Sequence, residues 1–97
     1  MNEAQTFSTT PGGLTTRRVY RLVGDVLKVD VYYSGTMTQS AIPDMLEEGD
    51  DIKLPPLPWL TREPRRICYR VYVDGTLIAT GVQRRGKPLK LKPSRGI

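Results

Sequence analysis

The chain contains no histidine and a single cysteine, Cys68. Without histidine it lacks the side chain that most often serves as a general base near neutral pH and most often ligates transition metals. Ser-His and Cys-His nucleophile pairs are thereby excluded. One cysteine excludes an intramolecular disulfide. Cys68 stands in an apolar, alternating stretch, where a free thiol behaves as a small hydrophobe. No apolar run approaches the ~18 residues of a membrane-spanning helix. The opening Met-Asn-Glu-Ala-Gln-Thr-Phe has no basic region leading into an apolar one, so no secretory signal is expected. The glycine-containing spots (Pro11-Gly12-Gly13, Gly81, Gly86) match no Gly-x-x-x-x-Gly-Lys-Ser/Thr phosphate loop, and the acids at 44–51 lack EF-hand spacing. These absences point away from an enzyme and from any bound cofactor or metal.

Charge of one sign is also missing where it is most informative. Residues 84–97 carry Arg84, Arg85, Lys87, Lys90, Lys92 and Arg95 and no acid. Residues 1–83 hold nine basic and ten acidic side chains, so the overall +5 is the property of one terminal segment. Charge confined to a segment implies a directed contact more than a diffuse cationic surface would. The negative pole is residues 44–51, with five acids and no base.

Length and composition allow one domain at most. Apolar residues make up 38% of the chain, a modest share for a core that must stand alone, so burial completed against a partner or a second copy is expected. The organisation reads as an extended N-terminal arm over 1–16, a β-rich domain over 17–83, and a basic C-terminal arm or edge strand over 84–97. Pro11-Gly12-Gly13 breaks the first of these, and apart from Met1 its large apolar side chains are Phe7 and Leu14.

Two hairpins dominate the middle. Gly24-Asp25 separates two β-branched and aromatic runs, pairing Val23 with Val26, Leu22 with Leu27 and Tyr20 with Val29. Tyr20, Leu22, Leu27, Val29 and Val31 then share a buried face, while Arg21, Lys28 and Asp30 occupy the wetter one. Asp74-Gly75 closes the second hairpin. Direct pairing sets Val71 against Ile78, Tyr69 against Thr80 and Ile67 against Val82, with Tyr72 and Leu77 together on the opposite face beside Arg70. Between the hairpins, Pro43 and Gly49 bracket a short helix. Pro55 to Pro58 reads as an extended connector docked by Trp59 and Leu60. The expected fold is mainly β: two hairpins forming a small sandwich or partly open barrel, one short helix, and two extended arms.

In the last segment Leu89 and Leu91 alternate with Lys90 and Lys92 between Pro88 and Pro93. That is a strand with an apolar side and a cationic side. It admits three readings: an assembly arm adding a strand to a sheet, a nucleic-acid arm neutralising phosphates, or an edge strand protected by its lysines. The leucine period favours the first. The candidate partner-binding residues are Phe7, Leu14, Arg84, Arg85, Lys87, Leu89, Lys90, Leu91, Lys92 and Arg95.

Thr9-Thr10-Pro11-Gly12-Gly13-Leu14-Thr15 resembles the Pro-Gly-Gly-Leu stretch in the N-terminal arm of lambda-type capsid decoration proteins. The plan of polar arm and small β-rich body is similar too. The resemblance implies a tailed-phage virion component located in the particle; otherwise a cytoplasmic protein is expected. Tyr72 to Gly81 also looks like a hairpin of fibronectin-type sandwiches. The leading expectation is therefore a non-enzymatic assembly protein whose arms contact neighbouring subunits or further copies of itself, with no membrane partner. The alternatives are a small basic nucleic-acid-binding β-barrel module, with Arg62, Arg65, Arg66 and the tail as cationic path and Tyr32, Tyr33 or Tyr72 for stacking, and an inhibitor or adaptor acting through the acidic segment.

Overall fold

A computed structural model describes residues 3–9, 11, 13–35, 49 and 54–93. They form one mixed six-stranded sheet: β1 (Glu3–Thr9), β2 (Thr15–Val23), β3 (Val26–Ser34), β4 (Arg66–Val73), β5 (Thr76–Arg84) and β6 (Lys90–Pro93), lying in chain order. All neighbours are antiparallel except β3 and β4. The protein is thus mainly β, and the two hairpins lie side by side in one sheet. A parallel pair needs a long crossover, and residues 35–65 supply it.

The first hairpin has the register its sequence dictates, with Val23 opposite Val26, Leu22 opposite Leu27 and Tyr20 opposite Val29. Gly24 turns the chain with φ +60°, where a two-residue loop takes glycine. In the second hairpin Asp74 and Gly75 both have positive φ, at 48° and 85°, as a type I′ loop demands.

The second register departs from expectation. A bulge interrupts the ladder after Tyr72–Leu77, leaving Ile78 without an opposite number. Beyond it Val71 faces Ala79, Tyr69 faces Gly81 and Ile67 faces Gln83. The expected pairs Val71–Ile78, Tyr69–Thr80 and Ile67–Val82 are each displaced by one residue. Val82 consequently lies on the opposite face, 36% exposed, and Gly81 takes its place on the buried side. The reason is packing: a Cβ on Gly81 would stand 2.8 Å from Leu91 Cδ2 and 3.2 Å from Leu89 Cδ1. Only a bare backbone lets β6 settle there.

One face of the sheet, here the inner face, holds the core: Tyr20, Leu27, Val29, Val31, Tyr33, Tyr69 and Val71, joined by Leu14, Leu57 and Leu89. Burying each such side chain contributes roughly 1.5–3 kcal/mol. The crossover brings Leu57 into this cluster and packs Leu54, Trp59 and Leu60 against it, as the proline-stiffened connector requires. Its end is tied back by Arg65 N–H donating to the Asp25 carbonyl at 2.9 Å.

Both ends of the chain contribute strands to this sheet. Seven residues of the expected N-terminal arm, Glu3–Thr9, pair with Thr15–Arg21 in unbroken register. Lys90 and Leu91 of the basic segment pair with Val82 and Gly81. The helix expected over 43–49 and the acidic stretch 44–51 lie outside the described residues, apart from Gly49 in a turn; no helix occurs among the described residues.

Candidate functional site on the outer face of the sheet

Strand alternation sends every second residue to the face opposite the core, and the registers stack them into rows. One row reads Phe7, Arg17, Tyr32, Tyr72 and Leu77 across five strands. The next reads Gln5, Val19, Asp30, Arg70, Thr80 and Lys92. A third reads Glu3, Arg21, Lys28, Cys68, Val82 and Lys90, and Arg66 and Arg84 stand opposite one another beyond it. The face therefore collects eight cations (Arg17, Arg21, Lys28, Arg66, Arg70, Arg84, Lys90, Lys92) against two carboxylates, Glu3 and Asp30. Basic residues that are scattered through the sequence meet here because β3 and β4 run side by side.

The aromatic row is ordered. Tyr32 and Tyr72 stack with ring centroids 4.8 Å apart and planes 11° from parallel. The Arg17 guanidinium caps the Tyr32 ring at 4.3 Å, a cation–π contact. Phe7, next along the row beyond Arg17, is 68% exposed.

Arg70 donates from Nε to Asp30 Oδ1 at 2.8 Å and from Nη2 to Asp30 Oδ2 at 2.9 Å. The hydrogen bonds first and the carboxylate charge second hold the guanidinium proton still more firmly than usual. This fork neutralises the only central acid. Beside it a depression of about 420 Å³ is lined by Val23, Lys28, Arg66, Cys68 and Arg70, among others. Arg66 Nε is buried without a hydrogen-bond partner among the described residues. A buried unpaired donor costs free energy.

The sequence-derived candidates distribute unevenly. Lys90, Lys92 and Arg84 join the outer face, and Phe7 lies at its β1 margin. Leu14 and Leu89 are 1% and 0% exposed in the chain's own core, and Leu91 is half-buried against it. Arg85 is committed elsewhere: its Nη2 donates to the Glu63 carbonyl at 2.7 Å. Lys87 is exposed in the turn after β5, and Arg95 lies outside the described residues. Among the stacking candidates, Tyr32 and Tyr72 are on the outer face, but Tyr33 is 1% exposed in the core, because it shares the parity of Leu27, Val29 and Val31. Arg62 and Arg65 are exposed in the crossover. Sequence reading missed Arg17, and it did not join Arg21, Lys28 and Arg70 into one surface. Their alternation with apolar residues was the available signal.

Among the described residues no group of three or more His, Cys, Asp or Glu side chains is placed to hold a metal ion, and no helix is long and apolar enough to cross a membrane. Comparison with protein-family models, with curated proteins and with solved structures gives no match.

Proposed function

We propose that this protein binds single-stranded nucleic acid across the outer face of its sheet. The observation that carries the reading is the aromatic row from Phe7 to Tyr72 set among eight cations on one open sheet face. Single strands are held by aromatic rings that stack bases and by cationic grooves that follow the phosphates. Phe7 offers a free ring and Tyr72 a ring face, while Tyr32, held between the Arg17 guanidinium and the Tyr72 ring, has both faces covered and fixes the row in place. Lys28, Arg66 and Arg70 line the depression, which offers cations to a phosphate. Cations that meet phosphates and rings that meet base faces favour contacts that do not depend on sequence.

The reading as an assembly protein with two partner-seeking arms draws less support. Of its expected apolar anchors, Leu14, Leu89 and the half-buried Leu91 are consumed by the chain's own core, and only Phe7 stays exposed. Lys90 and Lys92 of the basic segment point to the same face as Arg70 and Arg66, which suits a polyanion better than a single acidic patch.

The test is a titration of the protein into a labelled random single strand and a labelled random duplex at low salt. Tighter binding of the single strand is expected, weakening as salt rises. Absence of binding to both at low salt overturns the reading. Preference for the duplex rejects the stacking role of the aromatic row.

A further inference from the structure

The two edges of the sheet are unlike. β6 is four residues long, carries Lys90 and Lys92, ends on Pro93 and is preceded by Pro88. Short length, lysines and prolines are the devices that keep a sheet edge from pairing with another chain. β1 has none of them. It is seven residues long, EAQTFST, without proline, lysine or arginine, and its register with β2 is free of bulges. It is largely exposed, and no backbone bond beyond its ladder with β2 ties it to other described residues. An unprotected edge of this length presents a row of free N–H and C=O groups.

We propose that β1 pairs antiparallel with β1 of a second copy, joining two sheets into one of twelve strands. The sequence of β1 is self-complementary in that arrangement. A two-fold axis at Thr6 is the pairing that uses all seven residues. It sets Glu3 opposite Thr9 of the other copy, Ala4 opposite Ser8 and Gln5 opposite Phe7, so no like charges face each other. The two Phe7 rings become diagonal neighbours on the outer face, roughly 7–8 Å apart at their backbones and within reach of each other. That covers the most exposed large apolar side chain described, at 68%.

The charges allow it as well. Arg17 and Arg21 of the two copies would be separated by the paired β1 strands, three strand spacings or roughly 14 Å apart. That exceeds the roughly 8 Å screening length at physiological ionic strength. The assembly is also closed: the two-fold consumes both β1 edges and leaves only the protected β6 edges outside, so growth stops at two. One pair of strands buries less than a standard interface, so the dimer is weak and depends on concentration. This inference shares Phe7 with the proposed stacking row, but it is tested by association of the chain alone, without nucleic acid.

Sedimentation velocity over a concentration series tests it without any ligand. The expected result is a shift from the 10.9 kDa chain to a species of twice that mass as concentration rises. The exposed positions Gln5 and Phe7 allow a charge swap. Q5K/F7K places lysine opposite lysine twice and is expected to weaken association at least about tenfold. Q5E/F7K places glutamate opposite lysine twice and is expected to restore it. A wild-type chain that stays monomeric overturns the proposal. So does a dimer that survives Q5K/F7K, or one that Q5E/F7K fails to restore.

Discussion

Arg70 and Asp30 face each other across the one parallel strand pair, joined by two hydrogen bonds of 2.8 and 2.9 Å. The Asp30 side chain is only 12% exposed, while Arg70 is 48% exposed. The fork therefore works mainly by satisfying a carboxylate that β3 has carried out of water. It also fastens the first hairpin to the second at the middle of their seam. Asp30→Asn keeps the shape and one acceptor but sets an amide NH2 against the second guanidinium donor, and a loss of about 1–2 kcal/mol is expected. Arg70→Lys loses the planar fork but leaves a charge in a partly wet site, and less than about 1 kcal/mol is expected. Urea unfolding of both variants, with unchanged slope and shifted midpoint, checks the order.

Tyr69 gives the protein an alkaline limit. Its hydroxyl is buried with no hydrogen-bond partner among the described residues. Burial chiefly, and Tyr20 secondarily, push its ionisation well above the ordinary phenol value of 10.0, with Arg18 opposing. The folded state thus keeps a proton that the unfolded state releases. Stability from this group is fully present below pH 10.0 and declines above it, by about 1.4 kcal/mol per pH unit until the folded group ionises. Tyr69→Phe removes that decline. It also removes an unsatisfied hydroxyl, so at neutral pH it should be neutral or stabilising by up to about 1 kcal/mol. Denaturant midpoints of the two proteins compared from pH 8 to 11, where the remaining tyrosines cancel, decide it.

The basic segment is expected to behave as part of the core. Leu89 is 0% exposed, and Leu89→Ala should cost about 2–5 kcal/mol. Gly81→Ala drives a methyl group against Leu91 and Leu89, and about 1–3 kcal/mol is expected, with faster amide exchange confined first to Lys90, Leu91 and Lys92. Both effects vanish if the tail merely hangs from a self-sufficient body, and thermal unfolding with hydrogen exchange tells the cases apart.

Phosphate and base contacts on the outer face should separate under salt. Lys28→Ala and Arg66→Ala each remove one phosphate contact, lowering the salt slope of single-strand binding by about 0.7 apiece. Tyr72→Ala should weaken binding by about 1–3 kcal/mol at any one salt concentration and leave the slope unchanged. Equal slopes for all four proteins would remove the cations from the interface.

The two hairpins were legible because their turns are chemically explicit. Gly24 and Asp74-Gly75 supply the left-handed backbone that two-residue loops require, and alternation then assigned Tyr20, Leu27 and Val29 inward. Two features were not legible. The bulge at Ile78 answers to Leu89 and Leu91, which must seat against Gly81 from far along the chain, so local alternation cannot reveal it. The parallel pairing of β3 with β4 depends on the crossover laying Leu57 over the inner face. Without that pairing the aromatic row breaks between Tyr32 and Tyr72, and the cations of the first hairpin never meet those of the second. Single strands disclosed which residues were wet; the site exists only as a sum over strands.

The parallel seam also sets the order of events as the chain folds. Each hairpin joins neighbours in sequence and closes on the microsecond scale. The β3–β4 ladder must wait for residues 35–65 to form a loop, and Asp30 finds Arg70 forty positions away. Non-local pairing of this kind is paid for in loop entropy before any contact returns it. The seam that joins the two halves of the outer face is therefore expected to close after the hairpins on either side of it.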